Sequence, residues 1–352
     1  MAHVAIGIGL HALGGASSAS SIVPAKFTRR WHWNVYWLVF ACVSLLILPI
    51  IGMVLTIPHF RTVVEHAPPG TIRAVLALGF LYGFGSYAFG WAIRLIGFSQ
   101  TYCISIGFSA SLGTVIPPLV FGGEPLHRLL HTSLGLFVGA ALIAGLIGMY
   151  AIGLAGVRKE REKLFTGASQ TYEQVSVDKA RLGLVVALGA GALSAAYGLA
   201  LQFGSPMADM AVRLGANPLM KMNIVFPLAN GAALCSTLLI IVPMILHDRV
   251  AHQLASGPPR ALAQNYGLGI VGGLAWYLQF FFFGIAEQFM GDLRATSWAL
   301  HMILLIIFAQ AWGLYFSEWL DIDYKTKRIL YAGLCLLVAA VLIVSVGNAN
   351  VD

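Results

Sequence analysis

Charge is what this sequence has least of. Asp, Glu, Lys and Arg make up 10% of its 352 residues, against roughly a quarter in an ordinary soluble domain. So few charges cannot clothe a surface that faces water on all sides, and a soluble globular fold is excluded. Cysteine is nearly as scarce: Cys42, Cys103, Cys235 and Cys335 stand far apart, with no CxxC or CxxxH spacing. They read as small apolar fillers, with no disulfide framework and no metal site. P-loop, HExxH, GxSxG and paired-carboxylate patterns are also missing. ATP-driven pumping and membrane hydrolysis therefore lack their residues, no cofactor is called for, and the chain does not read as an enzyme. Finally, MAHVAIGIGL has no Lys or Arg ahead of its apolar part, which a secretory signal would carry. The first block is therefore kept as a helix.

What is plentiful is apolar sequence in long blocks. Hydrophobic residues make up 59% of the chain, and the mean hydropathy is +0.82. The blocks lie near 4–23, 35–57, 71–93, 99–121, 130–156, 181–203, 219–246, 267–289, 296–317 and 328–347. Each runs to about 20 residues or more, the length a helix needs to cross a hydrocarbon core roughly 30 Å thick. Barrel strands would be about half as long and would alternate in polarity. The expectation is an all-α polytopic membrane protein with ten transmembrane helices and the lipid bilayer as its solvent.

The net charge of +7 does not point to nucleic acid, because the cations follow the loops. Of the 21 Lys and Arg, 15 lie in or beside odd-numbered loops and 6 in even-numbered ones. The positive-inside rule then places odd loops in the cytoplasm and both termini outside. The longest polar segment splits the helices five and five. This predicts a first repeat over 1–156, a cytoplasmic connecting loop over 157–180 and a second repeat over 181–352. An odd number of spans in each half inverts one half relative to the other. Gly7, Gly15, Ala16, Ser18 and Ala19 match Gly183, Gly191, Ala192, Ser194 and Ala195 at one constant offset, a weak sign of such a repeat. Inverted repeats around a midplane site are a common plan of secondary transporters. Small-xxx-small spacing, as at Gly79 and Gly83, fits close helix packing with or without sliding.

Polar side chains at membrane depth cost a few kcal/mol unless they face protein or water, so they mark candidate sites. They include His11 in the first helix, Ser86 in the third, Asn230 in the seventh, Trp276, Tyr277 and Gln279 in the eighth, and Ser297, Trp298 and His301 in the ninth. Helices five and ten are nearly bare, which predicts that they pack outside a polar cavity or against a second copy in a homodimer. At 100° per residue, Trp276, Phe280, Phe283 and Glu287 share one side of the eighth helix, with Gln279 close by. Leu274, Leu278, Phe281 and Phe282 point away. An indole beside an amide suits a sugar, whose C–H face stacks while its hydroxyls find partners. Helix packing alone accounts for the pair equally well. Histidine titrates near neutral pH, so His11 or His301 could couple a proton, or either could stay neutral and hydrogen-bonded. Glu287, near the outer end of its helix, fits a solvated carboxylate better than a proton carrier. Trp31, Trp33 and Trp37 read as interfacial anchors.

GGLAWYLQFFFFG at 272–284 and SWALHM at 297–302 resemble the bacterial L-rhamnose/proton symporter family, within the drug/metabolite transporter superfamily. His11 before a Gly/Ala/Ser run, the basic patch before Trp31 and Trp33, and NPLMK at 217–221 extend the likeness along most of the chain. The resemblance implies a ten-helix carrier importing a monosaccharide with a proton through alternating access. Its motif positions are His11, Trp276, Tyr277, Gln279, Ser297, Trp298 and His301, with Phe280, Phe283, Asn230 and Ser86 added from the helix faces. The chain departs from the family around Ser86 and Ala88, where amides are commoner, so the implied substrate is L-rhamnose or a related deoxy sugar. A drug or metabolite exporter of the same fold is the alternative.

Overall fold

The computed structural model describes residues 2–166, 177–291, 297–317, 319–320 and 322–349, and the described residues include no strand. Among them, nine helical spans are long and apolar enough to cross a membrane. These are α1 (His3–Phe27), α2 (Trp33–Thr56), α3 (Thr71–Ile96), α4 (Phe98–Phe121), α5 (Gly135–Lys159), α6 (Arg181–Arg213), α7 (Pro218–His247), α8 (Pro259–Phe289) and α9 (Ser297–Tyr315). A further helix, α10, covers Tyr324–Ala349. The polytopic all-α expectation holds. The expected loop at 157–180 is shorter than the charge pattern suggested: helix continues to Thr166 and resumes at Val177. The stretch KEREKL consists of good helix formers, which carry the helix past the end of its apolar part. The rest of that loop, 167–176, lies outside the described residues.

The chain divides into two compact units. One comprises Gly9–Phe84 and Ala196–Gln288; the other comprises Met1–Ile8, Gly85–Ala195 and Phe289–Asp352. The first holds all of α2 and α7 and is called here the α2/α7 unit. The second holds all of α4, α5, α9 and α10 and is called the α4/α9 unit.

Glycine sets the closeness of packing in the α2/α7 unit. Cβ atoms on Gly79 and Gly83 of α3 would collide with the main chain of Ala229 and Ala233 in α7. The two helices can therefore touch backbone to backbone, the geometry that small-xxx-small spacing permits. The Thr237 hydroxyl bonds across the same contact to the Gly83 carbonyl at 3.2 Å. Similarly, Gly272 and Gly273 of α8 lie against Tyr36, Phe40 and Val43 of α2. There α2 makes a π-helical turn over Val43–Ile47, and Ser44 donates to the Phe40 carbonyl at 2.8 Å.

Beyond the helices, the Asn265 amide clasps the chain at Arg29, accepting from its N–H at 2.9 Å and donating to its carbonyl at 2.8 Å. Trp31 Nε1 donates to the Gln253 carbonyl at 2.9 Å, and the His32 N–H donates to Gln253 Oε1 at 2.6 Å. The first and seventh connections are thus tied together. Trp37 is fully buried between Trp33, 5.3 Å away, and Phe40, 5.0 Å away. It is a packing residue rather than the interfacial anchor expected from its place beside a basic patch.

In the α4/α9 unit, α5 and α10 meet at Gly148 and Gly333. A Cβ on either would come within 2.9 Å or 2.7 Å of the other's carbonyl oxygen. The lower half of α3 joins α4 through the single residue Gly97, at φ +84°. That left-handed conformation favours glycine. The turn is held by Gln310 of α9, whose Nε2 donates to the Ser99 carbonyl at 2.9 Å. Glu162, at the extended end of α5, accepts from the Asp323 N–H and the Thr326 hydroxyl, capping the start of α10.

Candidate functional site

Five helices of the α2/α7 unit bring aromatic rings to one place. Phe280 of α8 is the hub: it lies 4.4 Å from Tyr197 of α6, 6.2 Å from Phe226 of α7, 6.3 Å from Tyr82 of α3 and 6.4 Å from Trp276. Tyr82 and Tyr197 are themselves 4.5 Å apart. Phe40 of α2 meets the Trp276 indole at 5.7 Å and 66°, while Phe280 meets it at 83°. Neither neighbour lies parallel over the indole. The α3–α7 glycine contact is what places Tyr82 here, since it sits between Gly79 and Gly83.

Polar groups are set into this wall. Gln279 is 3% exposed and Asn230 fully buried. Among the described residues, nothing hydrogen-bonds Gln279 Nε2, nor the buried Tyr277 hydroxyl, which stands over Gly52 of α2. A buried donor without a partner costs on the order of several kcal/mol at membrane depth. Tyr82 is 4% exposed and Tyr197 fully buried. The first helix runs antiparallel to α8 in this unit: Ser17 donates to the Ala275 carbonyl at 2.9 Å, and the buried His11 ring lies 5.6 Å from Phe283.

The expected faces of α8 are visible in its burial. Trp276, Tyr277, Gln279, Phe280 and Phe283 are buried, whereas Leu274 is 40% exposed and Leu278, Phe281 and Phe282 are partly so. Glu287 is partly exposed near the end of the helix. His11, Asn230, Trp276, Tyr277, Gln279, Phe280, Phe283 and Glu287 all belong to the α2/α7 unit.

Ser86, Ser297, Trp298 and His301, expected from sequence to serve the same site, belong to the α4/α9 unit. All four are buried. Trp298 Nε1 donates to the Ser109 carbonyl at 3.3 Å, and its ring covers Gly113, where a Cβ would collide with it. Helical spacing puts Ser105 and Ser109 on one side of α4, and Ser297 and His301 on one side of α9. The hydroxyls of Ser105, Ser109 and Ser297 are buried and find no partner among the described residues. This seam offers hydroxyls and an imidazole, while the ring and N–H of its one tryptophan are already engaged.

Sequence reasoning missed Tyr82, Phe226 and Phe40. The signal for Tyr82 was its place inside Gly79-xxx-Gly83; no pattern singled out the two phenylalanines among 20.

Comparison with known proteins adds an independent finding. A family model described as L-rhamnose-proton symport protein (RhaT) matches residues 1–350. The L-rhamnose-proton symporter of Escherichia coli O1:K1 / APEC is 29% identical over 350 residues, covering 99% of this chain and 99% of the relative. The protein of the same name from Shigella boydii serotype 18 (strain CDC 3083-94 / BS512) is similar to the same degree and over the same shares.

Proposed function

The chain belongs to the L-rhamnose-proton symport protein family, and from that premise we propose that it carries L-rhamnose or a related deoxy sugar inward with a proton, by alternating access. It is a multi-pass transporter of the bacterial inner membrane, not an enzyme. The exporter reading is not favoured by relatives that are named symporters.

The observation that carries the site is Gln279 Nε2, a buried donor beside Trp276 that nothing in the described chain satisfies. A sugar hydroxyl would supply the missing partner while the pyranose C–H face stacks on the indole. Asn230 adds an amide from α7, with Tyr277, Phe280 and Phe283 framing the wall. His11 is the coupling residue in this reading, because it lies on the same wall, against Phe283. Ser86, Ser297, Trp298 and His301 lie in the α4/α9 unit. There Trp298 locks α9 to α4, and His301 serves proton passage rather than sugar contact.

The reading places α10 as a tenth span and the chain as two inverted five-helix repeats. In support, the compact units keep together α2 with α7, α4 with α9, and α5 with α10, the pairs such a repeat relates. Orientation follows the cation count. The contacts of Trp31 with Gln253 and of Glu162 with Asp323 each join two odd-numbered connections, so the members of each pair share a side. The Lys and Arg bias makes that side cytoplasmic and puts both termini outside.

The test is uptake by proteoliposomes. Adding L-rhamnose outside should alkalinise the medium as protons enter, and Trp276→Ala and Gln279→Ala should each remove both signals while leaving the protein folded. Normal uptake by both variants would sink the site assignment.

A further inference from the structure

Outside the regions already described, one pair of metal-ligating side chains stands together. A short helix, Gly123–His131, links α4 to α5 and carries His127 and His131 four residues apart. That spacing puts both imidazoles on one face, a turn from each other. Their rings lie 5.1 Å apart, tilted by 42°, and both residues are exposed. Other histidines are spent locally: ring nitrogens of His32, His66, His247 and His252 face the Asn34 N–H, the Thr62 carbonyl, the Asp248 carboxylate and the Arg249 carbonyl. His127 and His131 carry no such bond among the described residues. Both belong to the α4/α9 unit, and nothing about them depends on the sugar-site reading.

The separation of the rings has a chemical meaning. Two imidazoles sharing one tetrahedral zinc ion, each with a Zn–N bond of about 2.0–2.1 Å, set their ring centroids about 5 Å apart. We propose that His127 and His131 form a binding site for a zinc-class divalent transition-metal ion, which staples the Gly123–His131 helix. No third His, Cys, Asp or Glu joins the pair among the described residues, so water completes the coordination and the ion exchanges readily. Imidazole pairs favour copper and zinc over magnesium, which prefers oxygen ligands. The helix has use for a staple. At 9 residues it is shorter than an isolated helix needs to hold in water. The chain enters it through Gly122 at φ +60° and Gly123 at φ +56°, left-handed positions that favour glycine and restrain the helix little. It leaves at Thr132, where the backbone is extended. An ion bound between residues 127 and 131 ties successive turns, so its occupancy sets how firmly the connection between α4 and α5 is ordered.

The experiment uses the full chain in detergent, purified without a histidine tag. Zn²⁺ binding is titrated by calorimetry for the wild type, His127→Ala, His131→Ala, the double variant and His247→Ala, and amide hydrogen exchange of residues 123–131 is followed with and without the ion. The wild type should bind one more Zn²⁺ than the double variant. Each single variant should bind that ion about ten-fold more weakly or worse, because the chelate loses its intramolecular second contact, and His247→Ala should differ from the wild type by no more than its own weak contribution. At about ten times the half-saturating concentration, Zn²⁺ should slow exchange of the helix about ten-fold in the wild type and by no more than about two-fold in either single variant. Mg²⁺ at the same concentration should have no effect. Equal Zn²⁺ binding by the wild type and either single variant, or the same loss in His247→Ala, overturns the site. Single variants that each remove half of the binding, as independent imidazoles would, overturn the chelate. Binding without slowed exchange overturns the staple. If one single variant does not insert, the other carries the test. Loss of both from the membrane also counts against the proposal, since both side chains are exposed.

Discussion

The two units answer the same problem, polar groups at membrane depth, in different ways. In the α2/α7 unit, amides and phenols are interleaved with aromatic rings, and the donor on Gln279 is left for something outside the described chain. In the α4/α9 unit, the larger polar side chains turn to the backbone: Trp298 to Ser109, Gln310 to Ser99, and Cys103 Sγ to the Met149 carbonyl at 3.1 Å. What stays open there includes the hydroxyls of Ser105, Ser109 and Ser297, together with Gln310 Oε1 and Trp319 Nε1. A sugar needs a flat apolar face together with spaced donors, whereas a proton needs only a run of hydroxyls and an imidazole. The difference teaches that burial alone does not mark a substrate site. In the proposed reading, the pairing of rings with the unsatisfied Gln279 donor does.

The strongest way to break this comparison is to exchange its roles. Trp276→Ala and Gln279→Ala should lower sugar uptake by about a hundred-fold or more, the scale of roughly 3 kcal/mol of lost binding. Ser86→Ala and Ser297→Ala, changes of similar kind in the other unit, should leave sugar affinity within about three-fold of the wild type. Equal losses from both pairs, read from initial uptake rates, would erase the distinction.

Next in size is the effect on coupling. His11→Gln should cut proton-driven accumulation by about ten-fold or more, while exchange of labelled for unlabelled sugar, which needs no gradient, continues. His301→Gln should reduce the rate of proton entry without changing sugar affinity. If His11→Gln still concentrates sugar against a gradient, the coupling assignment moves to His301.

Packing provides a smaller contrast. Gly83→Ala must push the Ala233 main chain aside and should destabilise the protein by about 1–3 kcal/mol, seen as a lowered melting temperature in detergent. A Cβ on Gly139 of α5 meets nothing within 4 Å, so Gly139→Ala should be neutral or stabilising by up to about 1 kcal/mol. The smallest effect belongs to Glu287→Gln. As a partly exposed carboxylate near a helix end, it should change transport by less than about two-fold.

Most of the spans were legible because their signal is local: a run of apolar residues long enough to cross, ended by charge or glycine. The two faces of α8 were legible for a similar reason, since helical periodicity assigns Trp276, Gln279 and Phe283 to one side and Leu274 to the other. Partnership was not legible. Tyr82 joins Phe280 only because Gly79 and Gly83 bring α3 onto α7, and no spacing within α3 says which helix it will meet. Trp37 shows the same limit from the other side. Its basic neighbours suggest a membrane surface, yet the rings of Trp33 and Phe40 enclose it. The division of the site residues between units was equally hidden, because Ser297 and His301 follow α8 closely in sequence but share their packing with α4.

The one-residue turn at Gly97 has a mechanical meaning. A hairpin of two helices joined by a single glycine, with Gln310 stapled to its first turn, holds no spare chain. Any force applied to α4 is therefore passed undiminished into residues 85–96 of α3, as through a welded corner rather than a hinge. Lengthening that corner by a few residues would add slack without altering a single side chain in either polar region.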